Sequence, residues 1–180
     1  MPTLEAGCVS DASQPTALAA LIYVAECPLG RGVFAGKPIA PGEAILEFSG
    51  PIITLAQTIE MGEQEANPLQ ITPNEYLDLQ PPGVFLNHAC TPNAGIRENR
   101  RLVALTEIQQ GIEIRYDYST TMDENRWTMI CRCDAPHCRG IVRDFRLLPP
   151  VLQQHYLLSG VVQPFIAAQY KPNRATPAYP

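Results

Sequence analysis

The chain has 180 residues and a formal net charge of −5 at neutral pH, long enough for one domain with a real hydrophobic core. Its near-average composition excludes general disorder. The acidic balance argues against nucleic acid as the main partner, because phosphate binding needs clustered Lys and Arg; it fits a basic, Lys-rich partner or plain solubility.

The 18 prolines imply many turns, short strands and few long helices. Residues 1–17 read as a flexible N-terminus without periodicity. Leu18–Val24 fits a first strand, Cys27-Pro-Leu-Gly-Arg-Gly32 a turn and Val33–Ala35 a second strand. Pro41-Gly42 marks a tight turn, after which Ala44–Phe48 alternates as a strand ended by Ser49-Gly50. Thr54–Glu65 is expected as a short helix and Ile71–Leu79 as an extended piece. Ile96–Glu107 reads as a hairpin about Glu98-Asn99, and Ile112–Tyr118 as a strand after the turn at Gln109-Gln110-Gly111. Pro149-Pro150 opens, and Gly160 ends, a C-terminal helix over Val151–Leu158. Residues 170–180 read as a loose tail. This succession of short strands and turns predicts a mostly β fold.

The first residues lack the basic start and apolar stretch of a secretory signal, and no apolar run is long enough to span a bilayer. A cytoplasmic setting without membrane association is therefore expected. There, clustered cysteines favour metal over cystine pairing. Cys131-x-Cys133-x4-Cys138 supplies three close thiols, and Cys90, in Asn87-His88-Ala89-Cys90, a fourth. Four thiolates match a closed, structural zinc site, with His137 a competing ligand to Cys138. Cys8 and Cys27 fall outside the cluster.

Three further features admit a structural or a functional reading. Gly30 and Gly32 permit positive φ and close backbone approach to a ligand, or form a plain hairpin turn. Asn87 and His88 follow the apolar Val84-Phe85-Leu86 and need hydrogen-bond partners if buried. On a strand, Tyr116 and Tyr118 share one face by period two, either as core aromatics or as a ligand-facing pair.

Four segments resemble, in order, the motifs of the SET-domain protein lysine methyltransferases: Gly30-Arg-Gly-Val-Phe-Ala35, Glu47-Phe-Ser-Gly50, Phe85–Asn93 and Gly111-Ile-Glu-Ile-Arg-Tyr-Asp-Tyr118. The resemblance implies a SET β-clip fold of small curved sheets over residues 18–120, whose Asn-His segment threads beneath the Asp-Tyr segment as a pseudoknot. A post-SET zinc segment would follow over 121–145, and a C-terminal helix and tail over 146–180. It implies S-adenosylmethionine as cofactor, held by Gly30, Arg31, Gly32, Phe34, Asn87 and His88; Phe145, in preference to Trp127, is the candidate cover for the adenine, and either is equally readable as a packing aromatic. It makes Tyr118 the catalytic tyrosine and places Tyr116 at the product-specificity position, which implies mainly monomethylation. Cys90, Cys131, Cys133 and Cys138 correspond to the zinc ligands. The implied partner is a basic, lysine-containing protein or peptide, such as a histone, histone-like or ribosomal protein, bound as an added strand. The chain is most similar to the compact, stand-alone bacterial and viral members. It departs from the family at Phe48, where a tyrosine is usual, at Ala89 and at Ser119. Loss of the Phe48 hydroxyl keeps open a second reading, a catalytically inactive, zinc-stabilised binding module.

The implied reaction is an in-line displacement by a neutral lysine amine. With a lysine pKa near 10.4, deprotonation at pH 7 costs about 4.6 kcal/mol. A dry channel lowers that cost, and the rest of the catalysis is orientation and electrostatics.

Overall fold

The structure, a computed structural model, describes residues 20–170; the expected flexible N-terminus, Cys8 and nearly all of the expected tail lie outside them. Among the described residues, twelve short strands form five small sheets. β1 (Ile22–Cys27) pairs antiparallel with β2 (Gly30–Ala35) through a turn at Pro28-Leu29. The predicted start at Leu18 lies outside the described residues, and the strand runs on to Cys27. Next comes β3 (Ala44–Glu47), entered from the expected turn at Gly42. β4 (Ile52–Thr54) leads into α1 (Leu55–Glu60), where Thr54 and Gln57 form a capping box. The helix stops short of the predicted Glu65, and a 3-10 turn over Gly62–Gln64 continues it.

β5 (Leu69–Gln70) precedes the extended piece expected over 71–79, of which only Glu75–Leu77 forms a strand, β6, which sits between β4 and β5. β7 (Asn87–His88) is followed by the hairpin β8 (Ala94–Arg97) and β9 (Arg101–Ala104). Glu98 and Asn99 have positive φ at its turn, the place expected for it. β9 lies between β3 and β8.

β10 covers only Arg115–Tyr116, and pairs in parallel with β7. The predicted strand over 112–118 is thus a correction. Asp117 caps a 3-10 turn over Tyr118–Thr121, its carboxylate accepting from the Ser119 N–H. Side-chain bonding to nearby backbone competes with the ladder. β11 (Met129–Ile130) and β12 (Ile141–Val142) bracket the cysteine cluster. α2 (Pro150–Ser159) ends at Gly160 in the left-handed conformation, as expected, and α3 (Pro164–Ala167) follows.

Three apolar clusters support these sheets. The largest gathers Val33, Phe48, Leu77, Ile96, Leu102 and Ile114 from most of the sheets. A second surrounds the thiols with Ala89, Met122 and Val142. A third packs α2 and α3 through Phe145, Tyr156, Val161 and Ile166. Among the described residues no helix is long and apolar enough to cross a membrane.

Candidate active site and thiol cluster

The β1–β2 turn reaches the β7–β10 pair through one side chain. Asn87 Nδ2 donates to the Arg31 carbonyl at 2.9 Å and to Glu113 Oε1 at 2.8 Å. The two glycines serve different needs. Gly30 has φ of +103°, whereas Gly32 has ordinary φ but no room: a Cβ there would stand 2.6 Å from Glu113 Oε1. The Glu113 carboxylate also accepts from Arg115 Nε at 2.7 Å. Arg31 stacks over the Phe85 ring, 3.8 Å from its centroid, and Phe34 stacks on Tyr23.

Parallel pairing sets Asn87 opposite Arg115 and His88 opposite Tyr116. The His88 ring is buried, and its Nδ1 accepts the Tyr118 backbone N–H at 3.2 Å. That bond assigns the ring proton to Nε2, which faces Cys90 Sγ at 3.4 Å. Burial pulls the His88 pKa down to about 4, against the opposing pull of Asp117, so the ring is neutral at pH 7.

Asp117 is the hub behind it. Its buried carboxylate accepts from Arg139 Nη2 and from Tyr156 OH, both at 2.8 Å, and from Ser119 N at 3.1 Å. One acidic side chain therefore joins β10, the segment after the cysteines and α2.

Tyr116 and Tyr118 do meet, with ring centroids 4.8 Å apart. Strand alternation is not the cause, since Tyr118 lies in the 3-10 turn. The Tyr118 hydroxyl donates to the Leu86 carbonyl at 2.6 Å. Burial raises both phenol pKa values. Phe48 fills the core edge-on to Tyr116, 6.1 Å away.

Two cavities meet at Tyr118. One, of about 440 Å³, is lined by Leu29, Asn87, His88, Tyr118, Met129 and Cys133, among others, within the usual 300–1,000 Å³ of ligand sites. The other, of about 40 Å³, is lined by Tyr76, Tyr116, Tyr118, Glu124 and Trp127, among others. Tyr118 is a wall of both.

Behind the larger cavity, His88, Cys90, Cys131 and Cys133 bring their ligating atoms within 4.8 Å of one another and are all buried. This donor set is able to hold a metal. His88 enters the group where Cys138 was expected, but its Nε2 carries a proton and suits donation to a thiolate, not ligation. The Cys138 side chain is exposed, and its sulfur lies outside the group whose ligating atoms close to within 4.8 Å. Backbone N–H groups point at sulfur throughout: Arg139 N to Cys90 and Gly140 N to Cys138, each 3.4 Å, and Cys90 N to Cys133 at 3.5 Å. For Cys133, burial acts upward, but these donors win and bring its pKa to about 7. Burial raises Cys90 and Cys131. A cluster this rich in donors to sulfur fits thiolates around a cation.

The structure thus gathers Asn87, His88, Tyr116, Tyr118, Cys90, Cys131 and Cys133 in one region, with the Gly30–Phe34 strand beside it. Phe145 does not join them. It is fully buried in the third apolar cluster, edge-on to Tyr170, and lines neither cavity. The aromatic-lid expectation is corrected: Leu29, Met129 and Ile130 are the apolar residues at the larger cavity. Glu113, Asp117 and Arg139 had no assigned role in the sequence, although an acidic residue inside an otherwise apolar motif was a usable signal.

Comparison with known proteins agrees with this geometry. The model of the SET domain family matches residues 30–119, half of the chain. The chain belongs to the SET-domain family. This SET-domain chain is 30% identical over 129 residues to Histone-lysine N-methyltransferase ash1 of Drosophila melanogaster, an alignment covering 63% of this chain and 6% of that protein. It is 30% identical over 144 residues to Probable histone-lysine N-methyltransferase set-23 of Caenorhabditis elegans, covering 63% and 56% respectively. It therefore spans only part of these relatives' length. Among solved structures, Arabidopsis thaliana SUVH6 in complex with SAM superposes with a TM-score of 0.56 at 19% identity, covering 68% of this chain and 32% of that one. That likeness concerns the fold.

Proposed function

We propose that this protein is an S-adenosylmethionine-dependent methyltransferase acting on the ε-amine of a lysine in a protein. The observation that carries this reading is the shared wall at Tyr118, with a cofactor-sized cavity on one side and an aromatic, acidic cavity on the other. Asn87, His88 and the Gly30–Phe34 strand hold the cofactor, and Leu29, Met129 and Ile130 cover its apolar part. Bound cofactor supplies an electrophilic methyl group on a sulfonium. Tyr118, its hydroxyl fixed by the Leu86 carbonyl, orients the attacking amine. Buried aromatic walls exclude water and favour the neutral amine.

Cys90, Cys131, Cys133 and Cys138 hold a structural zinc ion, and the neutral His88 ring donates to the Cys90 thiolate. The names of several relatives, together with this chain's net charge of −5, support a basic, lysine-bearing substrate of the histone or histone-like class.

The test is transfer of labelled methyl from S-adenosylmethionine to lysine peptides, in the wild type and in Tyr118→Phe. Removing an orienting hydroxyl is expected to lower the rate about 100-fold. Equal rates would overturn the role of Tyr118. Absence of transfer by folded wild type to any basic substrate would favour the inactive binding module. Tyr116→Phe, which frees room beside the amine, is expected to move product from monomethyl toward dimethyl lysine in mass spectra; an unchanged spectrum overturns the product-specificity role. The rate is also expected to rise with pH toward about 9, since the amine reacts neutral.

A further inference from the structure

The 40 Å³ cavity has a composition that a lysine stem alone does not require. It is walled by Tyr76, Tyr116, Tyr118 and Trp127, and by the carboxylates of Glu65 and Glu124. Aromatic faces plus a carboxylate are the ingredients of a cation cage. The volume is that of a few waters, each needing roughly 10–15 Å³, and so suits a head group.

The two acids differ. Glu65 is ion-paired with Arg126 across the cavity rim, a contact that also ties the segment after α1 to the segment before β11. Glu124 forms no ion pair among the described residues. Its Oε2 accepts a 2.5 Å hydrogen bond from the buried Tyr76 hydroxyl, 48 residues away in sequence. Asp144 adds negative potential at Tyr76, although it is itself paired with Arg146, and among the described residues no Lys or Arg lines the cavity. Glu124 is therefore a carboxylate positioned from the core, beside the reactive tyrosines, with no cationic partner.

We infer that Glu124, positioned by Tyr76, is the counter-ion that receives the substrate's ammonium head group at the Tyr116–Tyr118 wall, making the cavity a cation-selective recognition site. The biological meaning rests on the lysine methyltransfer reading, but the cage itself does not. Its chemistry has a consequence: a carboxylate that captures the ammonium also raises the pKa of the bound amine. Glu124 therefore favours capture and opposes deprotonation.

The single tryptophan of the chain is Trp127, a wall of this cavity, so its emission reports cation entry directly. Wild-type protein is titrated at fixed ionic strength with butylammonium chloride and, separately, with 1-butanol. A saturable change with the ammonium at least about tenfold stronger than with the alcohol is expected. Glu124→Gln is expected to abolish that preference while leaving S-adenosylmethionine binding unchanged. Glu124→Asp retains part of it, which keeps the test valid if the glutamine variant misfolds. Equal response to the two probes in the wild type, or an undiminished preference in Glu124→Gln, overturns the inference.

In methyl-transfer assays, Glu124→Gln raises the peptide KM about tenfold. It moves the acid limb of the kcat profile to lower pH, which a merely structural role would not do. Cation binding without any methyl transfer would sink the proposed activity and leave the cage standing. Methyl transfer with an unchanged KM and profile in Glu124→Gln would do the reverse.

Discussion

The β-sheet core and the cysteine module behind it hold together by different means. The core is conventional: Val33, Phe48, Leu77, Ile96, Leu102 and Ile114 are almost wholly buried, and antiparallel pairing satisfies the backbone of β3, β9 and β8. The module between residues 121 and 145 has only the two-residue strands β11 and β12, and three of the six buried members of its apolar cluster are cysteines. Apolar burial at roughly 25 cal/mol per Å² accounts for the first. It does not account for the second, whose contacts run through sulfur and the Asp117 hub. The region that builds the scaffold is thus not the region that completes the larger cavity, to which the module gives Met129, Ile130 and Cys133.

Withdrawing the cation is the most severe way to separate them. Chelation, or Cys131→Ser, is expected to abolish methyl transfer and expose residues 128–142 to protease, with the far-ultraviolet β signal of the core retained. Coupled loss of metal and local structure is the behaviour of closed thiolate sites. Full activity in a strong chelator would show that the module stands without metal.

Asp117→Asn comes next. It leaves Arg139, most of whose side chain is buried, without its counter-charge, and weakens the bonds from Tyr156 and Ser119. Breaking a buried ion pair from one side costs about 3–5 kcal/mol, read as a lowered urea midpoint. A loss below about 1 kcal/mol would mean that the hub is incidental and that the module is anchored by metal alone.

The same contrast explains what the sequence disclosed. Local chemistry was legible: the turn at Glu98-Asn99 and the Pro150 and Gly160 ends of α2 each depend on a few adjacent residues. The motif residues Asn87, His88, Cys90 and Tyr118 were legible because their spacing is set by one local loop each. Long-range polar partnerships were not. Asp117 with Arg139 and Tyr156, and Tyr76 with Glu124, join positions 22 to 48 residues apart, which no periodicity encodes. Phe145 was misread for a related reason: an aromatic residue after a cysteine cluster suits a lid or a core equally, and only the packing of α2 and α3 decides for the core. Tyr118 is rightly paired with Tyr116 but not by strand alternation, because the Asp117 cap ends the strand at Tyr116, two residues before the expected Tyr118.

The mildest test asks which region owns α2. Its apolar face packs in the third cluster, but Tyr156 sends its hydroxyl, 2.8 Å away, to Asp117. Tyr156→Phe keeps the ring's packing and removes only that donor. Hydrogen bonds to charged groups contribute about 1.5–3 kcal/mol, and Asp117 retains Arg139 and Ser119, so the lower end is expected in urea unfolding. If α2 belongs to the hub, the cost vanishes in an Asp117→Asn background, where the charged acceptor is gone; non-additivity of that size marks residues of one network. Strict additivity of the two substitutions would separate Tyr156 from the hub, leaving Gln153, whose Nε2 donates to the Phe145 carbonyl at 3.1 Å, as the polar tie from α2.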